Sequence, residues 1–113
     1  MLILTLAACS KPASKAVATP KEAAAQIDHA FKEAPREIKK SAETAAEALR
    51  SGDYEGAVVS IYNIQNQKDI TPEQFRTAHE SMVVLQAKLI SGLQAGDERA
   101  KKASELLKQM RGD

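Results

Sequence analysis

Thr19-Pro20-Lys21-Glu22 and Thr71-Pro72-Glu73-Gln74 write the same local instruction twice. In each, the Thr hydroxyl can accept from the backbone N–H three residues on, and the Glu or Gln there can accept from the Thr N–H in return. Pro at the first helical position costs nothing, because the N–H it lacks would have no helical acceptor, and its fixed φ suits a helix. Between and after these two starts stand two stops, Ser51-Gly52 and Gly96-Asp97. Such punctuation confines the chain to discrete helices separated by short turns.

Apolar spacing fills the segments so defined. Ala24, Ile27, Phe31 and Ala34 recur at three and four, which predicts a first helix that Pro35 ends or kinks. A second helix from Pro35 places Ile38, Ala42, Ala45 and Leu49 on one stripe, and Gly52 stops it in a left-handed conformation. Asp53 caps a third, with Tyr54, Ala57, Val58, Ile61 and Ile64 apolar, fading in the polar run Gln65-Asn66-Gln67-Lys68-Asp69. The fourth opens at Thr71 and runs about 24 residues, roughly 36 Å. Its core stripe is expected to be Phe75, Ala78, Met82, Leu85 and Leu89, widened by Val83, Val84, Ile90 and Leu93, so that it forms the spine of the core. Gly96-Asp97 then caps a fifth helix with Ala100, Ala103, Leu107 and Met110 facing inward. The β-branched run Val58-Val59-Ser60-Ile61 lies inside helical periodicity and lacks flanking turn signals, so no strand is expected. The fold class is all-α, about five helices in antiparallel hairpins.

Ahead of these helices, Met1-Leu2-Ile3-Leu4-Thr5-Leu6-Ala7-Ala8 leads to Cys9, the single cysteine of the chain. Leu6-Ala7-Ala8-Cys9 resembles the lipobox of bacterial lipoproteins: a Leu, two small residues and the Cys that receives lipid. The resemblance implies cleavage after residue 8, a diacylglyceryl group on the Cys9 thiol and often a third acyl chain (palmitate or similar) on the new amino terminus. Several chains anchor stably where one would bind only marginally. The run lacks a preceding Lys or Arg and is short for a signal core, which predicts in-frame codons upstream encoding a basic residue and further apolar ones. No segment reaches the 20 or so apolar residues that span a bilayer. The domain division is thus 1–8 signal peptide, 9–19 lipidated Cys and flexible tether, and 20–113 helical domain. Ser10-Lys11-Pro12-Ala13-Ser14-Lys15-Ala16-Val17-Ala18-Thr19 has no helical period; as a random coil it would hold the domain roughly 17 Å from the lipid. Ser10 stands where Asp would favour inner-membrane retention in the family's sorting rule, so the resemblance favours the outer membrane, facing the periplasm.

Charge narrows the partners. The 16 Lys and Arg and 15 Asp and Glu all follow Cys9 and sum to +1, which gives no electrostatic case for nucleic acid. With Cys9 consumed by lipid no disulfide is available, so packing alone must hold the domain. Aromatic residues are 4% of the chain and Trp is absent, while Ala is abundant. That composition suits thin, closely packed helices and not an aromatic-lined pocket.

Ala45-Ala46-Glu47-Ala48-Leu49-Arg50-Ser51-Gly52-Asp53-Tyr54-Glu55-Gly56-Ala57 resembles the centre of a tetratricopeptide repeat. Ala45 and Ala48 match its small positions, Gly52-Asp53-Tyr54 its inter-helix turn and Ala57 its close contact. The match covers roughly residues 38 to 64. The next comparable turn, at Gly96-Asp97, lies 96 − 52 = 44 residues on, not the family's 34. An ordinary hairpin needs the same small residues, so a small bundle and a repeat-like array both remain open. The repeat resemblance implies a concave surface for a peptide or protein. Tyr62, Asn63, Gln65, Asn66 and Gln67 form the least charged polar cluster, and amides and Tyr hydrogen-bond without heavy desolvation. Tyr54, Tyr62, Asn63 and Asn66 are the candidate binding residues, and Cys9 is the lipidation site.

Catalytic patterns are missing. His29 falls off the apolar face and is expected in solvent, while His79 borders the Phe75–Met82 stripe and is expected partly buried. Neither has a second His at the i+4 spacing of helical metal sites, and the one carboxylate at that spacing, Glu33 from His29, makes only a single pair. There is no Gly-rich phosphate loop and no strained Ser elbow. Pairs such as Glu33 and Glu37 or Lys101 and Glu105 read as solvated faces, and the terminal Arg111-Gly112-Asp113, although it matches the tripeptide read by integrins, reads as a Gly-terminated helix. No enzyme, cofactor or metal is expected. The reading is a lipid-anchored envelope protein that holds or recruits an envelope protein partner. The alternative is a structural coiled-coil lipoprotein that oligomerises, against which the heptad pattern lasts only from Phe75 to about Leu89.

Overall fold

The computed structural model describes residues 19–112. The signal, Cys9 and most of the tether lie outside the described residues, as does Asp113. Five helices follow one another: α1 Pro20–Ala30, α2 Arg36–Ser51, α3 Tyr54–Gln65, α4 Pro72–Gln94 and α5 Glu98–Arg111. Among the described residues there is no strand.

Both Thr-Pro starts form their capping boxes. Glu22 N–H donates to Thr19 Oγ1 and Thr19 N–H to Glu22 Oε1, each at 3.2 Å. Gln74 N–H and Thr71 Oγ1 make the corresponding bond at 3.0 Å, as do Thr71 N–H and Gln74 Oε1. Gln74 Nε2 also donates to the Ala30 carbonyl at 3.1 Å, so this cap ties the start of α4 to the end of α1. Gly52 ends α2 at φ 79°, and Asp53 caps α3 by accepting from Gly56 N–H. α1 stops earlier than its apolar spacing predicts: Phe31 is its C-cap and is buried, whereas Ala34 lies in the connection and is half-buried. Pro35, with no side-chain oxygen, precedes α2 without a side-chain cap.

α1 packs on α2, α2 on α3, α3 on α4, and α4 back on α1, which closes a ring; α5 fills the furrow between α3 and α4. A tetratricopeptide-type array stacks its hairpins in an open row. Contact between α1 and α4 closes the row, so of the two arrangements expected the helices take the bundle. α4 touches α1, α3 and α5 and is the spine. Ten of the buried apolar side chains are Ala, which lets the helix axes approach. One close crossing is at Gly92, where an added Cβ would stand 2.6 Å from the Ala100 Cβ.

One stripe of α4 differs from expectation. Ala78, Met82, Leu85 and Leu89 are buried, but Phe75 is 46% exposed, and Val83, Ile90 and Leu93 are 51%, 57% and 45% exposed; only Val84 of the widening set is buried. A 3-4 spacing averages 3.5 residues per turn and drifts around a 3.6-residue helix. The bundle takes the side centred on Ala78, Ser81 and Leu85, which leaves Phe75 on the rim. His79, expected partly buried, is exposed and stacked on Phe75, with ring centroids 6.5 Å apart; His29 is exposed as expected.

Candidate functional site

α5 meets the bundle along two sides, and they differ. Toward α3 the contact is stitched at both ends. Arg99 stands with its guanidinium 5.0 Å from the Tyr54 ring centroid, a cation–π distance, and Tyr54 itself is buried. The same guanidinium donates to Asp97 Oδ2 at 3.2 Å and to the Gly52 carbonyl at 3.4 Å. Asp97 also caps α5 by accepting from Arg99 N–H at 2.9 Å. The Arg99 side chain and backbone hold the Asp97 carboxyl below its ordinary range, and Asp97 in turn raises Arg99. At the far end the Tyr62 hydroxyl donates to the Met110 carbonyl at 2.9 Å. α3 and α5 therefore run side by side in the same direction, start to start and end to end.

The four candidate binding residues thus do not converge on one recess. Tyr54 and Tyr62 are engaged within the molecule, at opposite ends of this seam. Asn63 and Asn66 are exposed at the end of α3, where Asn66 Nδ2 donates to the Tyr62 carbonyl at 2.8 Å and closes the helix terminus. Tyr62 as a latch to Met110 is invisible in the sequence, because its acceptor is 48 residues away and is a backbone atom.

Toward α4 the contact opens into a groove of about 280 Å³. Leu89 and Leu107 form its buried floor, Ile90 and Leu93 its exposed apolar wall, and Lys108 and Arg111 the opposite edge. Gln86 and Ser104 supply the remaining polar lining, so no carboxylate faces it. Val83 and, about two turns earlier, Phe75 with His79 continue the apolar ridge along α4 beyond the groove. This face was legible in one respect: Phe75 and Leu93 are 18 residues apart, about five turns, and share an azimuth. α4 carries more large apolar residues than one buried stripe accommodates.

A second recess, between α2 and α3, is lined by Lys40, Glu43, Glu47 and Asp53 with Thr44 and Ser51. One Lys and three carboxylates line it, all of them exposed to solvent. Asp28 and Arg50 pair across α1 and α2, and the carboxylate raises the guanidinium. Among the described residues no group of three or more His, Cys, Asp or Glu is placed to hold a metal, and every buried side-chain nitrogen or oxygen has a partner. No described helix is long and apolar enough to cross a membrane. No protein-family model, curated protein or solved structure matches the chain.

Proposed function

We propose that this chain is a lipid-anchored cell-envelope protein whose helical bundle holds or recruits another envelope protein at the periplasmic face. The observation that carries the recruiting role is the apolar ridge of Val83, Ile90 and Leu93 beside an open groove, on a bundle whose buried side-chain polar atoms, among the described residues, are all partnered. Exposed apolar residues contiguous along one helix mark an interaction surface more often than a random scatter does. Anchoring and location rest on Leu6-Ala7-Ala8-Cys9 and on Ser10, which favours the outer membrane. Chemical crosslinking in the cell with mass spectrometry of the products tests the role: an envelope protein should be recovered, and recovery of none would remove its support. Mass spectrometry of the mature chain should find diacylglyceryl on Cys9, and an unmodified, uncleaved terminus would refute the anchor.

A second reading, a lipoprotein that acts by oligomerising, is favoured by the shared azimuth of Phe75 and Leu93 on exposed α4 surface. Light scattering separates the two. A compact monomer supports recruitment, and a stable elongated trimer supports the structural role.

A further inference from the structure

The geometry points to the α4–α5 groove as a docking site for an acidic amphipathic helix of a partner protein, an inference that rests on the recruiting role and gives it a place and a chemistry. The groove lies between two antiparallel helices, and its wall repeats as Gln86, Ile90 and Leu93, extended beyond the groove by Val83, spacings of three and four that a partner helix can match with its own apolar stripe. The floor, Leu89 and Leu107, is already desolvated, so an apolar side chain entering it displaces water without uncovering polar groups.

Charge decides among the possible occupants. Lys108 and Arg111 edge the groove, and no acidic residue lines it. Lys101, on the same helix one turn before Ser104, adds a third exposed cation, while Glu105 lies outside the lining. Neither cation on the edge is paired with a carboxylate among the described residues. A second copy, related by a twofold axis, would bring the same cations to the same edge, and like charges would face each other. Residues 1–18 of the chain itself are apolar at Leu2-Ile3-Leu4 but contain no Asp or Glu, and carry Lys11 and Lys15. Neither occupant complements the groove. A helix with Leu or Ile on one stripe and Asp or Glu flanking it does, with apolar anchors giving affinity and the flanking charges setting orientation and partner choice.

The test is a titration of the full chain, followed by amide chemical shifts, with a designed peptide of about 18 residues, long enough to lie along the groove, bearing Leu at i, i+3, i+7 and i+10 and Glu at the flanks. Shifts confined to residues 83–93 and 101–111 are expected. A peptide with Lys in place of every Glu should bind at least about tenfold more weakly. The double variant Lys108→Glu, Arg111→Glu, substituted at two exposed positions that leave the fold intact, should reverse that preference, and Ile90→Asp should weaken both peptides. Equal binding of the Glu and Lys peptides, no binding, or shifts elsewhere would overturn the proposal. So would binding that appears only after residues 1–18 are removed, self-association through the groove, or a stronger response to phosphatidylglycerol vesicles than to the peptide. If the peptide fails while crosslinking still recovers an envelope protein, the groove is the wrong place and recruitment stands; if both fail, recruitment itself falls.

Discussion

The two sides of α5 (Glu98–Arg111) are built from the same helix and finished differently. Against α3 it closes: Arg99 locks onto Tyr54, Asp97 and Gly52 at one end, and Tyr62 reaches the Met110 carbonyl at the other. Against α4 it makes a close contact at Gly92 and Ala100, and beyond that contact Leu89 and Leu107 floor an open groove. A seam stitched by polar groups at both ends is fixed in register. A groove held at one end by a close contact of small residues has a rigid floor and an uncovered wall, and that combination can bind without reorganising.

If this contrast is right, equal chemistry removed from the two regions has unequal effect. Ile61→Ala, in the buried core on α3, should cost about 2–5 kcal/mol in denaturant unfolding, whereas Ile90→Ala on the groove wall should stay within about 0.5 kcal/mol. Similar losses at the two sites would erase the distinction between core and wall. Next in size is Gly92→Ala. The gain in helix propensity is up to about 1 kcal/mol, and the new methyl, 2.6 Å from Ala100 Cβ, should overpack by about 1–3 kcal/mol. Net destabilisation is expected, and a stabilised variant would show that the crossing has slack. Tyr62→Phe removes one hydrogen bond to the end of α5 and should cost about 0.5–1.5 kcal/mol, with faster amide exchange confined to the last turn of that helix. Exchange unchanged there would mean the latch does not hold α5.

The smallest effect is a pH dependence. Arg99 holds the Asp97 carboxyl below its unfolded value, so the carboxylate stabilises the fold fully above pH of about 4, and that contribution is lost as pH falls through the lower folded value. The pair is exposed and screened, so the change is slight. Wild type should lose stability relative to Asp97→Asn on acidification below pH of about 4, and parallel pH profiles would remove Asp97 from the seam's account.

Helix boundaries were legible in the sequence because their causes are local. The Thr19 and Thr71 boxes, Asp53, Asp97 and the left-handed Gly52 act within a few residues. Ala45, Ala48 and Ala57 signalled a close hairpin for the same steric reason, whatever array it belonged to. What sequence spacing did not decide was which side of α4 the bundle would take. Phe75 and Ile90 have the same apolar character as Leu85, and only the arrival of α1, α3 and α5 separates rim from core. The candidate site was hidden for the same reason. Its wall read as part of the core stripe, and nothing in the spacing singled out its edge, Lys108 and Arg111, because the groove exists only where α4 and α5, joined by three residues, lie side by side. Tyr54 stood out at the repeat-like turn and Tyr62 in the uncharged polar cluster, and the fold spends both on the seam.

The most direct measurement places a photoreactive side chain at Ile90 in one strain and at Val59, an exposed apolar position on α3, in another, and compares what each captures in the cell. The account predicts one dominant envelope protein at position 90, crosslinked through an acidic amphipathic segment, and little at position 59. Equal capture at the two positions, or capture at 59 alone, would contradict it.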